Sequence, residues 1–172
     1  MNRILIIGSP GAGKSTFAKE LAKKTATPLY HLDLIWYHEN GDMESREIFD
    51  KKLQEILETD RWIIDGYYPR TLEQRLKYAD TVFFFDLPEE VCLKGAEQRL
   101  GVKRDDNPVI ETELNESLRE RIMTFRLFNT PYIEYLLEDF EGKIIRFHSR
   151  QEVETWLRKN DISTAHLKRT GH

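Results

Sequence analysis

Cysteine is nearly absent from this chain of 172 residues: Cys92 stands alone, so no internal disulfide can form and no cysteine cluster is offered to a metal. Long apolar runs are missing as well. Runs such as Ile4 to Ile7 and Val82 to Phe85 fall far short of the roughly 18 residues that suggest a membrane span. The first of them breaks off at Gly8 without a cleavage pattern, so no signal peptide is expected. Internal repeats and low-complexity segments are also lacking. A strong excess of one charge is lacking too: the net charge is -4, which gives no general attraction to nucleic acid or anionic membrane. These absences lead us to expect a soluble cytoplasmic protein, monomer or homodimer, with no membrane partner and no direct nucleic-acid binding.

The chain has the length of one domain, able to bury roughly 70% of its unfolded surface. Charged residues make up 33%, against about 25% in a typical chain, which fits a charged surface or arms projecting into water. Five short, apolar segments read as strands: Arg3 to Gly8, Leu29 to Leu32, Trp62 to Asp65, Thr81 to Asp86 and Lys143 to His148. Helical patterns alternate with them at Lys14 to Lys24, Ser45 to Thr59, Thr71 to Tyr78, Glu89 to Leu100, Glu113 to Leu137 and Gln151 to Lys159. The alternation predicts an α/β domain over 1–159, a parallel sheet with helices on both faces. The polar segment Gly101 to Ile110 reads as a mobile lid, about 101–112, too charged to be core. Tyr37 to Glu44 reads as irregular, and 160–172 as a loose tail.

The most specific pattern follows the first strand. Gly8, Ser9, Pro10, Gly11, Ala12, Gly13, Lys14, Ser15 and Thr16 fit G-x-x-x-x-G-K-[ST] at every fixed position. Glycines let the backbone N–H groups turn inward around a polyphosphate. Lys14 can reach its β and γ phosphates, Ser15 can ligand the accompanying Mg²⁺, and the following helix presents its positive end to the anion. The pattern therefore predicts ATP and Mg²⁺ as ligands.

Ligands of open α/β sheets sit beyond the C-terminal strand ends, where Asp33, Asp65 and Asp86 fall. Asp65 closes Trp-Ile-Ile-Asp, an apolar run plus acid of the kind that holds Mg²⁺ beside a phosphate loop. Asp33 emerges near the transferred phosphoryl group, either as a base for a hydroxyl acceptor or as a cap for the stretch that follows. Arg70 is a candidate clamp for an acceptor phosphate, whereas Arg75 reads as a solvated surface charge. Trp36, with Tyr37, Tyr67 and Tyr68, offers a stacking surface or ordinary packing.

With these residues in place, the chain resembles the adenylate kinase branch of phosphate-loop proteins, and within it the DNA topology modulation proteins. Gly8 to Lys14 is similar to the adenylate kinase loop. Asp65-Gly66-Tyr67-Tyr68-Pro69-Arg70-Thr71 resembles Asp-Gly-Phe-Pro-Arg-Thr with Tyr68 inserted. Arg104-Asp105-Asp106 looks like the lid exit, and Arg121 stands ten residues before Pro131 as the helix arginine does there. Tyr-His-Leu-Asp33, Trp36 and Trp62-Ile-Ile-Asp-Gly-Tyr carry the topology modulation likeness. The resemblance implies a three-layer phosphate-loop NTPase fold with sheet order 2-3-1-4-5. It implies transfer of the ATP γ-phosphoryl group to a nucleotide, nucleoside or similar small metabolite, or alternatively a nucleotide-dependent regulator. It further implies Lys14, Asp33, Arg104 and Arg121 as catalytic groups, and Arg99 on the nucleotide in place of the arginine expected at Gly95. Asp33, Trp36 and Arg70 would contact the acceptor, and Ser15 and Asp65 the metal. The adenylate kinase acceptor arm is not recognisable after Asp33; His31-Leu32-Asp33 instead resembles the strand-end acid of nucleoside kinases.

Overall fold

Alternate residues of the first strand face two different cores. The computed structural model describes residues 1–160, so the expected tail at 160–172 lies outside the described residues except for Asn160. In β1 (Arg3–Gly8), Ile4 and Ile6 join one cluster and Leu5 and Ile7 the other, all four fully buried. A strand covered on both faces must be apolar throughout, and this one is. β2 (Leu29–His31), β3 (Trp62–Asp65), β4 (Thr81–Phe85) and β5 (Lys143–Phe147) complete a parallel sheet in the order β2-β3-β1-β4-β5.

The first cluster packs under α1 (Lys14–Thr25), α5 (Glu89–Gln98), α6 (Glu116–Met123) and α9 (Arg150–Lys159). Phe17 centres it, with ring centroids 4.9 Å from Phe83, 5.3 Å from Phe85 and 5.7 Å from Trp156. These contacts fix α1, and with α1 the loop before it. The second cluster packs under α2 (Leu32–Trp36), α3 (Arg46–Leu57), α4 (Pro69–Leu76), α7 (Phe125–Phe128) and α8 (Thr130–Leu137).

Two expectations change. The helix expected over Glu113 to Leu137 is three pieces. Asn115 caps its start by accepting from the Leu118 N–H at 2.8 Å, Thr124 turns its hydroxyl back onto the Glu120 carbonyl at 2.7 Å, and Pro131 cannot donate to continue the ladder. Asp33 does not follow a longer strand but lies in the first turn of α2, because β2 stops at His31. At Asp86, Arg126 and Arg146 donate to the carboxylate at 3.2 and 2.7 Å, tying α7 and the charged edge strand β5 to the end of β4.

Arg75 is the largest correction. Expected on the surface, it is fully buried, and its guanidinium donates to the Gly66, Tyr67 and Tyr68 carbonyls while Nε donates to Thr71 Oγ1 at 3.1 Å. Burial lowers its pKa to about 9, still well above neutrality, so a charged fork satisfies the carbonyls of the β3–α4 turn. Replacing it strands those carbonyls. We expect Arg75→Met to lose about 3 kcal/mol of stability or more, read as a lower urea midpoint at unchanged slope; a loss below about 0.5 kcal/mol would show that water takes the fork's place.

Candidate active site

Parallel pairing brings the ends of three strands to one edge of the sheet: His31 lies in register with Asp65, and Asp65 with Ile6, two residues before the Gly8 turn. The phosphate loop runs from there to Gly13, which adopts φ 96° and starts α1 without a side-chain cap. The first N–H groups of α1 are thus left for an anion. Beneath the loop, α5 approaches so closely that a Cβ on Gly11 would overlap the Cys92 carbonyl oxygen, and one on Gly95 would overlap the Gly11 carbonyl oxygen. No side chain fits at 95 without displacing the loop. Arg150 occupies the adjoining space and donates to the Gly11 and Ala12 carbonyls, both at 3.1 Å. Carbonyl oxygens that would repel a phosphate are held by a guanidinium.

Lys14 folds back on the loop, its Nζ donating to the Ser9 carbonyl at 2.7 Å. Burial pushes its pKa down, Asp65 opposes that shift and Arg99 adds to it. Ser15 Oγ donates to Asp65 Oδ2 at 2.6 Å, and the same oxygen meets His31 Nδ1 at 2.7 Å, with His31 and Asp65 both buried. Asp106 is buried beside them, contrary to the reading of its segment as too charged for core, and its Oδ1 has no partner. Burial alone would raise the Asp106 pKa, but the nearby Ser15 hydroxyl and the charges of Arg104 and Lys19 bring it below the ordinary value. A hydroxyl, a strand-end carboxylate and an orphaned carboxylate oxygen beside a phosphate loop are the hard oxygen donors that suit Mg²⁺. Among the described residues no group of three or more His, Cys, Asp or Glu is placed to hold a metal.

The segment 101–111 is pinched at its base, where the Gly101 N–H donates to the Glu111 carbonyl at 2.7 Å. Within it Arg104 lies 3.4 Å from Asp106, Asp105 pairs with Lys19 of α1, and Asn107 is buried. Arg99, at the end of α5, has its pKa lowered by burial and then by Arg104, and its Nε is buried without a partner. Lys14, Arg99 and Arg104 thus form a group of cations with donors left over. Arg121 is exposed on α6, and Tyr37, whose pKa is raised chiefly by burial and then by Asp33, feels its charge. Thr16 is exposed.

Asp33 faces this group from α2. Tyr68 donates to its Oδ1 at 2.5 Å, and Asn107 approaches Oδ2 at 3.4 Å. Burial raises the Asp33 pKa, the Tyr68 bond opposes that shift, and Asp65 adds to it. Tyr68, the inserted residue, sits at φ 39°, a strained conformation for a side chain of its size, directly before Pro69. Its ring stacks on Phe49 with centroids 5.6 Å apart, and Trp36 meets the same ring edge-on at 5.5 Å. Arg70 does not join Asp33: it is exposed and makes a bidentate pair with Asp50, at 2.7 and 3.1 Å.

No family model matches the chain. It is 31% identical over 169 residues to an adenylate kinase of Mycolicibacterium vanbaalenii, a match covering 81% of this chain and 88% of that protein. The chain belongs to the adenylate kinase family of phosphate-loop kinases. It is also 29% identical over 156 residues to a probable UMP-CMP kinase 2 of Arabidopsis thaliana, covering 76% of this chain but 57% of that longer protein. In fold it is similar to shikimate kinase from Acinetobacter baumannii in complex with shikimate, with a TM-score of 0.57, 17% identity, and 100% and 96% of the two chains covered. None of these is a topology modulation protein, and that finer resemblance gains no support from them.

Sequence reasoning missed His31, Asp106 and Arg150 as neighbours of the site, and it offered Tyr68 as a stacking or packing ring, not as the donor to Asp33. Only Arg150 left a usable signal, since it opens a helix behind the cap Ser149 just past a strand end. Asp33 yields a test. A carboxyl whose folded pKa is raised contributes stability that is fully present below its unfolded pKa and lost as pH rises through the folded value. Asp33→Asn should therefore be more stable than wild type at pH 8, with the difference gone below about pH 4, as read by denaturant unfolding. A variant less stable at pH 8 would make the carboxylate a structural asset.

Proposed function

We propose that this protein transfers the γ-phosphoryl group of ATP to a small-molecule acceptor bound beside Asp33. The observation that carries the reading is the meeting of Ser15, Asp65 and Lys14 at a phosphate loop, backed by Arg99, whose buried Nε has no partner, and by Arg104 beside it. Transfer of this kind needs little covalent help from the protein and depends on positioning and charge. Loop N–H groups and Lys14 cradle the phosphates. Ser15 and Asp65 would hold a Mg²⁺ ion, which would supply neutralisation of charge on the phosphate oxygens. Arg99 and Arg104 offset charge that develops on the transferred group, with Arg121 at the rim. The 101–112 lid closes over the nucleotide and excludes water. The kinase relatives support the reaction class, and the acceptor, nucleotide, nucleoside or other metabolite, is the finer question.

Lys14→Ala is the direct test. It removes a cation that makes one backbone hydrogen bond, so the fold should survive while turnover falls at least ~10²-fold, in the range seen when a donor to developing charge is removed. ADP release from Mg-ATP with acceptor present measures the loss, and circular dichroism checks the fold. Full turnover in a folded variant would remove Lys14, and with it the loop, from the chemistry.

A further inference from the structure

We infer that the acceptor is an uncharged hydroxyl compound, a nucleoside or other neutral polyol, and not a nucleoside monophosphate. The inference rests on the phosphotransferase reading above and names its acceptor from the charges around Asp33. An acceptor phosphate arrives already ionised and needs a cationic clamp. The two arginines that the β3–α4 turn supplies are both committed elsewhere: Arg70 is held by both oxygens of Asp50, and Arg75 is fully buried on the carbonyls of the turn itself. Lys14, Arg99 and Arg104 gather at the loop that takes the donor phosphates, and Arg121 stands exposed at the rim, where Tyr37 feels its charge.

What faces the acceptor is a carboxylate. Tyr68 fixes Asp33 through Oδ1 and leaves Oδ2 with only the long 3.4 Å approach of Asn107, a lid residue that lid movement would withdraw. Oδ2 is therefore the free acceptor for a substrate hydroxyl. The inserted Tyr68 does two things at once. It orients Asp33, and it lengthens the motif so that Arg70 falls beside Asp50. An anionic phosphate brought to the same place would meet Asp33 with Asp65 and Asp106 behind it, and a neutral alcohol would not be repelled.

The acceptor O–H gives its proton to Asp33 Oδ2 as its oxygen bonds to the γ-phosphorus. The bond from that phosphorus to the β–γ bridging oxygen breaks, and ADP leaves with the electron pair. Asp33 then releases the proton to water.

The experiment measures ADP release from Mg-ATP with the four ribonucleosides, their 5′-monophosphates, and the neutral polyols ribose, glycerol and myo-inositol, using wild type and Asp33→Asn, with ATP affinity measured separately. Expected is turnover with a nucleoside or polyol and none above background with the monophosphates. In Asp33→Asn kcat should fall at least ~10²-fold while the ATP Kd stays within about twofold. Faster turnover with a monophosphate, or an Asp33→Asn enzyme of unchanged kcat, would overturn the inference and leave the kinase reading standing. ATP binding with the same slow hydrolysis whatever is added would overturn both.

Discussion

One carboxylate oxygen holds the site together. Asp65 Oδ2 takes a hydrogen bond from Ser15, at the start of α1, and meets His31 at the end of β2, while Asp65 itself ends β3. The start of α1, the end of β2 and the end of β3 therefore meet on one buried residue. Burying a carboxylate is costly unless its lone pairs are used, and here two partners within 2.7 Å use them. The sheet register that sets His31 opposite Asp65 is thus a precondition of the chemistry as well as of the fold. Phe17 and its aromatic neighbours then fix α1 against the other face, so Ser15 and Lys14 start from a rigid element.

Around that atom the charges separate into two ends. Lys14, Arg99 and Arg104 crowd together, although burial and like-charge repulsion depress the Lys14 and Arg99 pKa values, an arrangement that fits a polyanion between them. Across from them Asp33 is hydrogen-bonded to Tyr68 and, among the described residues, is ion-paired with no lysine or arginine. Arg150 and Gly95 belong to the first end. The helix under the loop carries no side chain at 95, so the loop rests on backbone, and a guanidinium from the far end of the chain grips its carbonyls from the same side.

Much of the scaffold was legible because it rests on local patterns. The apolar runs gave five strands within a residue of their observed bounds, and the Gly-Lys-Ser motif with Trp-Ile-Ile-Asp gave two strand ends of the site. What stayed hidden depends on contacts between distant segments. Arg75 looks like any helix charge until the turn before it proves to aim three carbonyls at one point. Arg70 could be placed only by knowing that Asp50, on another helix, lies within reach. Asp106 is flanked by charged residues in sequence, and only the folding of its segment onto Ser15 explains why it is buried. The breaks at Thr124 and Pro131 are different: their signals were present, and the apolar period simply ran across them.

The claim on which the rest hangs is that Ser15 and Asp65 make a Mg²⁺-assisted nucleotide site. The most direct measurement is the equilibrium affinity for ATP by calorimetry, with Mg²⁺ and with EDTA, for wild type and Asp65→Asn. Expected is one site per chain whose affinity rises at least about tenfold with Mg²⁺ in wild type, about 1.4 kcal/mol, and much less in the variant. An ATP affinity indifferent to Mg²⁺ in wild type, or enhanced equally in both proteins, would contradict it.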